Sequence, residues 1–437
     1  MFKSNLSILA LVLASASANA VIGGSDVSSS EYKDYMVSIE TGNEACGGSL
    51  LGGEYIITAR HCIMPISGAN AGILYGTTVT VKQGLTKSEA TTYSRTFTYM
   101  TAEDYVSEKQ TQSNNIYADV VAAYPLGGAG LVNETYDNDL VILKLSSSIP
   151  HKTGALLSPI YDYDSKVTLL PKNADFTFRG WGFTDSAETT FADTMQKATA
   201  QLFKNYNEPN GASFVYQSRY GDVYDECVDS ATNGCIWYAD DVYSFYLTGS
   251  GRLAPGDSGS PIVYNDKIFG VLSQSSTVNL YHSYMSDFTL LMDVFASYIN
   301  DYVYPSNAGV EYTKGSTSSK SFTVPVQNFK ANSVLFTPVA QGTTSMFDVD
   351  ASDCNATIDS SKGCTISVTF NPTNTSLNSD SYSASVYMTT DLTIPLSATV
   401  KTESNSGGGE SGGGGSMGGF ALFGLLLAQV LRRFKIM

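Results

Sequence analysis

Residues 255–261 read PGDSGSP, a short run in which Ser258 stands between Gly256 and Gly259. Glycine accepts backbone conformations that other residues rarely adopt, so these two positions let the chain turn sharply and expose the Ser258 hydroxyl. The N–H groups of Gly256 and Ser258 would then converge, which is the arrangement that stabilises the oxyanion formed when a nucleophile attacks a carbonyl group. A Gly-Asp-Ser-Gly run also occurs as an ordinary turn, so a catalytic interpretation needs partners elsewhere in the chain.

A serine nucleophile needs a base, and the chain contains three histidines: His61, His151 and His282. His61 follows the predicted strand 55–60 (YIITAR) and directly precedes Cys62. A disulfide from Cys62 to Cys46 would fix this strand end, as a positioned base requires. We therefore take His61 as the candidate base, although a histidine at a strand end is more often structural.

The base in turn needs a carboxylate that orients it. Residues 137–145 (DNDLVILKL) place Asp139 immediately before an apolar strand, where its carboxylate is expected to be fixed and partly shielded from water. Asp137 lies two residues further out and is the weaker candidate, because a turn residue is expected there. The sequence therefore predicts His61, Asp139 and Ser258 as a catalytic triad.

Five motifs occur in the order of the trypsin family: VIGG (21–24), TARHC (58–62), DNDL (137–140), GWG (180–182) and GDSGSP (256–261). Residues 21–303 therefore resemble that family. The resemblance implies an all-β fold of two six-stranded barrels with the active site between them, and residues 288–302 carry the spacing of a final helix. It also implies that His61 takes the proton of Ser258, that Asp139 holds His61, and that an acyl-enzyme forms and is hydrolysed.

Residues 1–20 have the features of a signal peptide. Lys3 is followed by an apolar run over residues 8–14, and A-x-A sites end at Ala16, Ala18 and Ala20. The apolar run is shorter than the roughly 20 residues that span a membrane, so an anchor is disfavoured. The compartment predicted for the mature chain is extracellular.

The resemblance implies activation through a new N-terminal amine that pairs with the aspartate before the nucleophile and orders the oxyanion hole. In this sequence the pair is Val21 and Asp257. Cleavage after Ala20 would expose Val21 directly and leave no inactive precursor after export. Cleavage after Ala16 or Ala18 would instead leave a short extension that blocks the amine.

The sequence departs from the family at the candidate substrate pocket. Trypsin has an aspartate six residues before the nucleophile, where this chain has Arg252, and Ala254 replaces a family cysteine. Residues 273–275 (SQS) replace Ser-Trp-Gly, so Ser273 and Ser275 are candidate pocket residues and the Ser275 side chain would narrow the pocket. An arginine floor predicts an acidic or small residue before the cut bond. The alternatives are that Arg252 points to solvent or that cleavage is trypsin-like.

Charge and cysteine content restrict the partners. The formal charge of −16 argues against nucleic acid and anionic lipid. Six cysteines form three close pairs, which predicts the disulfides Cys46–Cys62, Cys227–Cys235 and Cys354–Cys364 in an oxidising compartment. They lack the C-x-x-C spacing of zinc and redox sites, so neither a metal nor another cofactor is expected.

The remaining chain reads as three further segments. Residues 306–402 alternate apolar and polar positions over several strands and resemble immunoglobulin-like modules of bacterial surface proteins, with a binding, spacing or stabilising role. Residues 403–416 form a Gly/Ser-rich linker. Residues 417–437 are apolar with a basic end and resemble the GlyGly-CTERM sorting tail of Gram-negative bacteria, which implies removal by a rhombosortase-like protease and type II secretion. A single-span anchor is the alternative.

The sequence as a whole predicts a secreted or surface-held serine endopeptidase that acts on protein or peptide substrates. Export through the periplasm would involve signal peptidase, and the chain would contact the membrane only transiently through its tail. An inactive protease-like scaffold and an adhesin acting through residues 306–402 are the alternatives. An autotransporter-type protease is disfavoured, because the 31 residues after position 406 cannot form a translocator barrel.

Overall fold

The structure is a computed structural model. It describes residues 21–22, 24–42, 44–65, 72–101, 139–162, 167–171, 174–185, 189–202, 242–247, 253–275, 282–288, 292–342, 345–372 and 379–401.

The fold is mostly β. In chain order the strands of the first part are β1 (Ser25–Asp26), β2 (Met36–Thr41), β3 (Glu44–Leu51), β4 (Tyr55–Thr58), β5 (Thr78–Gln83), β6 (Thr91–Thr101), β7 (Val141–Leu145), β8 (Leu156–Leu157), β9 (Tyr161–Asp162), β10 (Val167–Thr168), β11 (Phe176–Gly180), β12 (Gln196–Leu202), β13 (Val242–Leu247), β14 (Pro261–Tyr264), β15 (Lys267–Ser275) and β16 (His282–Asp287). A 3₁₀ turn spans Arg60–Cys62, and the helix α1 spans Met292–Ile299.

The later strands are β17 (Tyr302–Val303), β18 (Gly309–Tyr312), β19 (Lys320–Asn328), β20 (Val334–Leu335), β21 (Val339–Gly342), β22 (Phe347–Asp350), β23 (Thr357–Ile358), β24 (Gly363–Phe370), β25 (Ser381–Thr389) and β26 (Leu392–Val400), with a 3₁₀ turn over Ser352–Cys354.

Six of the early strands form a closed barrel in the order β2-β3-β4-β7-β6-β5. Their sequences are rich in the β-branched and aromatic residues that suit a pleated, half-buried surface, as in YIIT of β4 and VILKL of β7. Antiparallel pairing sets Ile57 opposite Ile142, so both lie in the buried interior. The closed six-stranded barrel predicted from the sequence is confirmed for this part of the chain.

A second sheet has the order β1-β12-β11-β14-β15-β16-β13, and β12 also pairs with β13. The pairings therefore close a ring of six strands, while β8 adds to β15 in parallel. The apolar residues inside include Val21, Phe176, Phe178, Ile262 and Phe269. Because β14 begins at Pro261, the last residue of the 255–261 run, the candidate nucleophile Ser258 lies just before one strand of this ring.

Residues 302–400 form two four-stranded sheets, in the orders β17-β19-β24-β22 and β18-β26-β25-β21, and a two-stranded sheet of β20 and β23. Along β24 the side chains of Cys364, Ile366, Val368 and Phe370 are buried, because alternate residues of a strand face the same side. The Cys354–Cys364 disulfide, which the sequence predicted, lies in this core.

Several buried contacts join these later sheets to the first part of the chain. The Gln327 side chain accepts a hydrogen bond from the Leu157 N–H at 2.9 Å and donates to the Leu157 carbonyl at 2.8 Å, as a neighbouring strand would. Phe329 belongs to the apolar cluster that contains Met292 and Phe295 of α1. The Ser361 hydroxyl donates to the Met292 carbonyl at 2.9 Å. These contacts complete the packing around α1.

Within the described part of the chain, no helix is both long and apolar enough to cross a membrane. The predicted signal peptide (1–20), linker (403–416) and sorting tail (417–437) lie outside the described residues.

Candidate active site

The Arg60–Cys62 turn holds His61 at the end of β4. Cys62 forms a disulfide with Cys46 of β3, as the sequence predicted. The Thr58 hydroxyl, three residues before His61, donates to the Gly47 carbonyl at 2.7 Å and so links the same two strands. The backbone of His61 is therefore fixed on both sides by covalent and hydrogen-bonded links to β3.

Asp139 lies directly before β7 and is buried beside His61. Its Oδ1 accepts the backbone N–H of His61 at 2.8 Å, and its Oδ2 lies 2.6 Å from His61 Nδ1. An ionised carboxylate can only accept hydrogen bonds, so Nδ1 carries the proton and Nε2 is left with a free lone pair. This is the tautomer that a general base requires.

The electrostatics of His61 have opposing contributions. Burial of the ring lowers its pKa, whereas the hydrogen bond to Asp139, the charge of Asp139 and the charge of Glu44 raise it. The net result is a pKa raised above the usual histidine value. The imidazolium that forms when His61 accepts a proton is therefore stabilised by its surroundings.

Ser273 contributes its side chain to the same carboxylate. Its hydroxyl donates to Asp139 Oδ2 at 2.6 Å and is buried. The Asp139 carboxylate thus accepts three hydrogen bonds, two from His61 and one from Ser273. The sequence predicts Ser273 as a pocket residue; its hydroxyl is engaged by Asp139, and its place in the substrate pocket stays a prediction.

Ser258 lies where the first barrel meets the second sheet. The Gly47 N–H donates to the Ser258 carbonyl at 2.7 Å, and the Ser258 hydroxyl lies 3.4 Å from the carbonyl oxygen of Ser273. No hydrogen bond joins His61 to Ser258 among the described residues. Such bonds are often formed only when substrate is bound, and rotation about the Ser258 side-chain torsion would redirect the hydroxyl.

Residues 254–257 form the turn that would bind an oxyanion. The Asp257 N–H donates to the Ala254 carbonyl at 3.0 Å, and Gly256 has a φ of +96°. Pro255 and Gly256 at the two central positions match a type II turn, in which the second central residue needs a positive φ. Among the described residues, the N–H groups of Gly256 and Ser258 have no acceptor, so both are available to a substrate oxygen.

The Asp257 carboxylate is only 1% exposed and lies behind this turn. Its Oδ1 accepts the Gly182 N–H at 2.8 Å and its Oδ2 accepts the Ala254 N–H at 3.1 Å. Burial raises its pKa to about 7, although these two bonds and the charge of Lys87 act in the opposite direction. A Cβ at Gly182 would lie 2.7 Å from both carboxylate oxygens, so only glycine fits there.

Val21 is completely buried in the core of the second sheet, with a φ of +54°. The two residues that follow Gly24 form β1 and run along β12, with which β1 pairs. In this chain, Val21 is preceded by residue 20 and has no free amine. The pairing of a Val21 amine with Asp257 stays a prediction.

Other predicted site residues lie wholly or partly outside the described residues. Arg252 and the Cys227–Cys235 pair are outside them, and of Ser275 the structure describes the backbone in β15 but not the side chain. The prediction about the residue before the cut bond is therefore untested.

A grouping of Cys46, His61 and Cys62 brings potential metal ligands within 4.8 Å of one another. Both sulfur atoms are joined in the disulfide, so they offer no thiolate. His61 Nδ1 is hydrogen-bonded to Asp139, so within this grouping Nε2 of His61 is the one atom left that could bind a metal.

Comparison with known proteins gives a family match. The sequence model of the family described as Trypsin matches residues 21–289, which is more than half of the chain. The chain belongs to the trypsin family. Among curated trypsin-family relatives, it is 24% identical over 272 residues to Trypsin of Xenopus laevis, covering 61% of this chain and 86% of the relative. It is 26% identical over 258 residues to Serine protease 1 of Canis lupus familiaris, covering 58% and 78%.

Solved structures similar to this trypsin-family chain include two from Vibrio cholerae. The VesB protease is 19% identical with a TM-score of 0.36, covering 87% of this chain and 99% of that one. The secreted serine protease VesC is 16% identical with a TM-score of 0.37, covering 86% and 71%.

Two residues next to the oxyanion turn of this trypsin-family chain were not anticipated from the sequence. Phe191 packs against Gly256, and Lys87 lies over the Phe191 ring. Neither belongs to a periodic pattern or a motif, because both sit in loops and act across long sequence separations. The glycines of the GWG motif were a usable signal, since they mark where the Asp257 carboxylate makes a close approach.

Proposed function

We propose that the chain is a secreted serine endopeptidase that hydrolyses peptide bonds through His61, Asp139 and Ser258. The observation that carries the proposal is the pair of hydrogen bonds that His61 donates to the Asp139 carboxylate, since the bond from Nδ1 selects the tautomer that a base for Ser258 needs. Membership of the trypsin family supports the same reaction class.

In the proposed reaction, His61 Nε2 takes the hydroxyl proton of Ser258 as its Oγ attacks the substrate carbonyl. The negative oxygen that forms is bound by the N–H groups of Gly256 and Ser258. His61 then gives the proton to the leaving amine, and an acyl-enzyme remains on Ser258. Water, activated by His61 in the same way, hydrolyses this ester and restores the site.

The proposed active form begins at Val21. Its amine would place a positive charge beside the buried Asp257 carboxylate. Among the described residues, no cationic group forms a hydrogen bond with that carboxylate. Because Asp257 follows Gly256 directly, neutralising its charge would stabilise the oxyanion turn. Signal peptidase cleavage after Ala20 would produce this N-terminus.

The proposed organisation is a signal peptide (1–20), a two-barrel protease domain (21–303) with α1 at its end, an immunoglobulin-like sandwich (306–402), a linker (403–416) and a sorting tail (417–437). The ring of pairings through β12 and β13 supports a second barrel, and the two four-stranded sheets support the sandwich. The tail supports export from a Gram-negative bacterium by type II secretion with a rhombosortase-like protease.

The experiment compares the purified secreted protein with its Ser258→Ala variant. Both are incubated with a diverse peptide library, cut sites are read by mass spectrometry, and the first residue of each protein is sequenced. Cleavage by the wild type alone, with Val21 first, is expected, together with labelling of the wild type by a fluorophosphonate probe. If a protein that begins at Val21 neither cuts nor labels, it is an inert scaffold and the proposal is wrong.

A further inference from the structure

An aromatic side chain packs directly against the oxyanion turn. Phe191 stacks on Phe183 with ring centroids 4.0 Å apart and an interplanar angle of 22°. A Cβ built on Gly256 would lie 2.8 Å from Phe191 Cε1, so the edge of this ring covers the Gly256 Cα. The ring is nevertheless 44% exposed, which shows that it is not a core residue.

Phe183 and Phe191 face each other on a short two-stranded ladder, here called the clamp (residues 182–185 and 189–192). The Ala192 N–H donates to the Gly182 carbonyl at 3.0 Å, and the Thr184 N–H donates to the Thr190 carbonyl at 2.8 Å. The two phenylalanines form the bridge between these bonds. The ladder therefore fixes where the Phe191 ring stands.

The clamp contacts three successive residues of the turn. The Gly182 N–H binds the Asp257 carboxylate, the Phe191 ring covers Gly256, and the Phe183 N–H donates to the Pro255 carbonyl at 3.0 Å. The carbonyl and the N–H of one peptide group point in opposite directions. Holding the Pro255 carbonyl on the clamp side therefore directs the Gly256 N–H away from the clamp.

Pro255 and Gly256 do not by themselves fix this orientation. Proline is favoured at the first central position of both type I and type II turns, and glycine tolerates either sign of φ. A flip of the peptide between them would turn the Gly256 N–H out of the oxyanion hole. The family cysteine that would tether this loop is absent, since Ala254 stands in its place. The contacts of the clamp are thus what opposes the flip.

The loop between β5 and β6 of the first barrel contacts Trp181 and Asp193, the residues directly before and directly after the clamp. Lys87 Nζ donates to the Trp181 carbonyl at 3.2 Å and lies 5.0 Å from the centroid of the Phe191 ring. Its backbone N–H donates to the Asp193 carbonyl at 2.8 Å. The Asp193 carboxylate accepts the Ser88 N–H at 2.8 Å and the Ser88 hydroxyl at 2.6 Å.

We propose that Phe191 and Lys87 are positioning residues that keep the Gly256 N–H directed into the oxyanion hole, with the β5–β6 loop of the first barrel as their support. This inference rests on the proposed function, because it concerns the transition state of that reaction. Neither side chain touches the reacting atoms. Both act through the turn at Gly256.

The test compares Phe191→Ala, Phe191→Tyr and Lys87→Met with the wild type. Loss of one oxyanion donor lowers kcat about 10²–10³-fold. Phe191→Ala should lower kcat less, about 10- to 100-fold, because it loosens the turn without removing the Gly256 N–H. KM should stay near the wild-type value. The adduct of a peptide aldehyde needs the oxyanion hole, so the affinity for the aldehyde should fall by about the same factor as kcat. Lys87→Met should lose about 2- to 5-fold. Phe191→Tyr keeps the ring and should retain activity.

Two controls separate this effect from a general loss of stability. Leu335→Ala removes an exposed apolar side chain and Lys320→Met removes an exposed lysine, both in the later sheets. Neither should change kcat. Equal kcat and aldehyde affinity in Phe191→Ala and wild type would overturn the proposal, as would equal losses in Phe191→Ala and Phe191→Tyr.

A second readout does not depend on catalysis. Amide hydrogen exchange of the peptide that covers residues 253–260 should be faster in Phe191→Ala and Lys87→Met than in the wild type, and unchanged in Leu335→Ala. If the wild type proves inactive, the proposed function fails while exchange still tests the clamp. Unchanged exchange in both clamp variants would show that the clamp does not hold the turn.

Discussion

Asp139 binds His61 at two points, through the backbone N–H at 2.8 Å and through Nδ1 at 2.6 Å. The first bond fixes the main chain and the second fixes the ring, so one carboxylate sets both the position and the tautomer of the base.

Replacing Asp139 by asparagine tests the second of these roles. The amide can donate to Nδ1, which moves the ring proton to Nε2 and leaves no lone pair to accept the Ser258 proton. We expect kcat to fall about 10⁴-fold, measured with the best peptide from the library. Asp348→Asn, an exposed position on β22, is the matched control and should retain full activity. A loss smaller than tenfold in Asp139→Asn would contradict this role.

The charge of Glu44 should be visible in the pH profile. Glu44 is exposed at the start of β3, and its negative charge helps to raise the pKa of His61. Activity requires neutral His61, so kcat/KM rises as pH increases through that pKa. Removing the charge in Glu44→Gln disfavours the imidazolium and should move the acidic limb to lower pH, with the same plateau. Glu54→Gln removes an exposed charge that does not act on His61 and should leave the limb in place.

In the uncut chain, in which residue 20 is still joined to Val21, Asp257 should lower the stability as pH rises. Its pKa in the folded chain is raised to about 7, above the ordinary value of 3.8, so the folded state binds this proton more tightly than the unfolded state. The resulting stability is complete below about pH 4 and is lost as pH rises through about 7.

The measurement uses Ser258→Ala with residue 20 still joined to Val21, so that no self-cleavage occurs. Its melting temperature is recorded from pH 4 to 8 beside the double variant that also carries Asp257→Asn. The difference between the two curves reports Asp257, because the other titrating groups are shared. In the chain that begins at Val21, the paired amine should reduce this loss. Parallel curves for the two uncut variants would contradict the prediction.

Gln327 should stabilise the chain without affecting catalysis. In Gln327→Leu, the buried N–H and carbonyl of Leu157 lose their partner, and each such group costs about 1–3 kcal/mol. We expect a loss of about 2–6 kcal/mol in the free energy of unfolding, with kcat/KM unchanged at a temperature where the variant is folded. Gln341→Leu, exposed on β21, should lose little. Equal stability of the two variants would show that the Leu157 contact is unimportant.

The sequence predicted those parts of the molecule that have a local signal. The apolar runs over β4 and β7 predicted strands because their β-branched residues suit a barrel, and Asp139 was found because it immediately precedes such a run. The pairings Cys46–Cys62 and Cys354–Cys364 followed from close spacing along the chain.

Contacts between distant loops could not be predicted in this way. Lys87 meets the Trp181 carbonyl across 94 residues, and its lysine-to-backbone bond leaves no mark in composition or periodicity. The position of Ser273 in the chain predicts a pocket residue, whereas the hydrogen bond from its hydroxyl to Asp139 depends on how β15 lies against Asp139. Such orientations arise only when the two halves of the fold are packed together.

The hydrogen bonds between Gln327 and Leu157 also affect when folding can be completed. Gln327 and Phe329 follow residues 21–303 in the chain, so those residues alone leave the Leu157 backbone without this partner and the cluster around α1 incomplete. Its packing can be finished only after the later sheets are synthesised. The later sheets thereby set the moment at which this packing is complete, well after Ser258 has been translated.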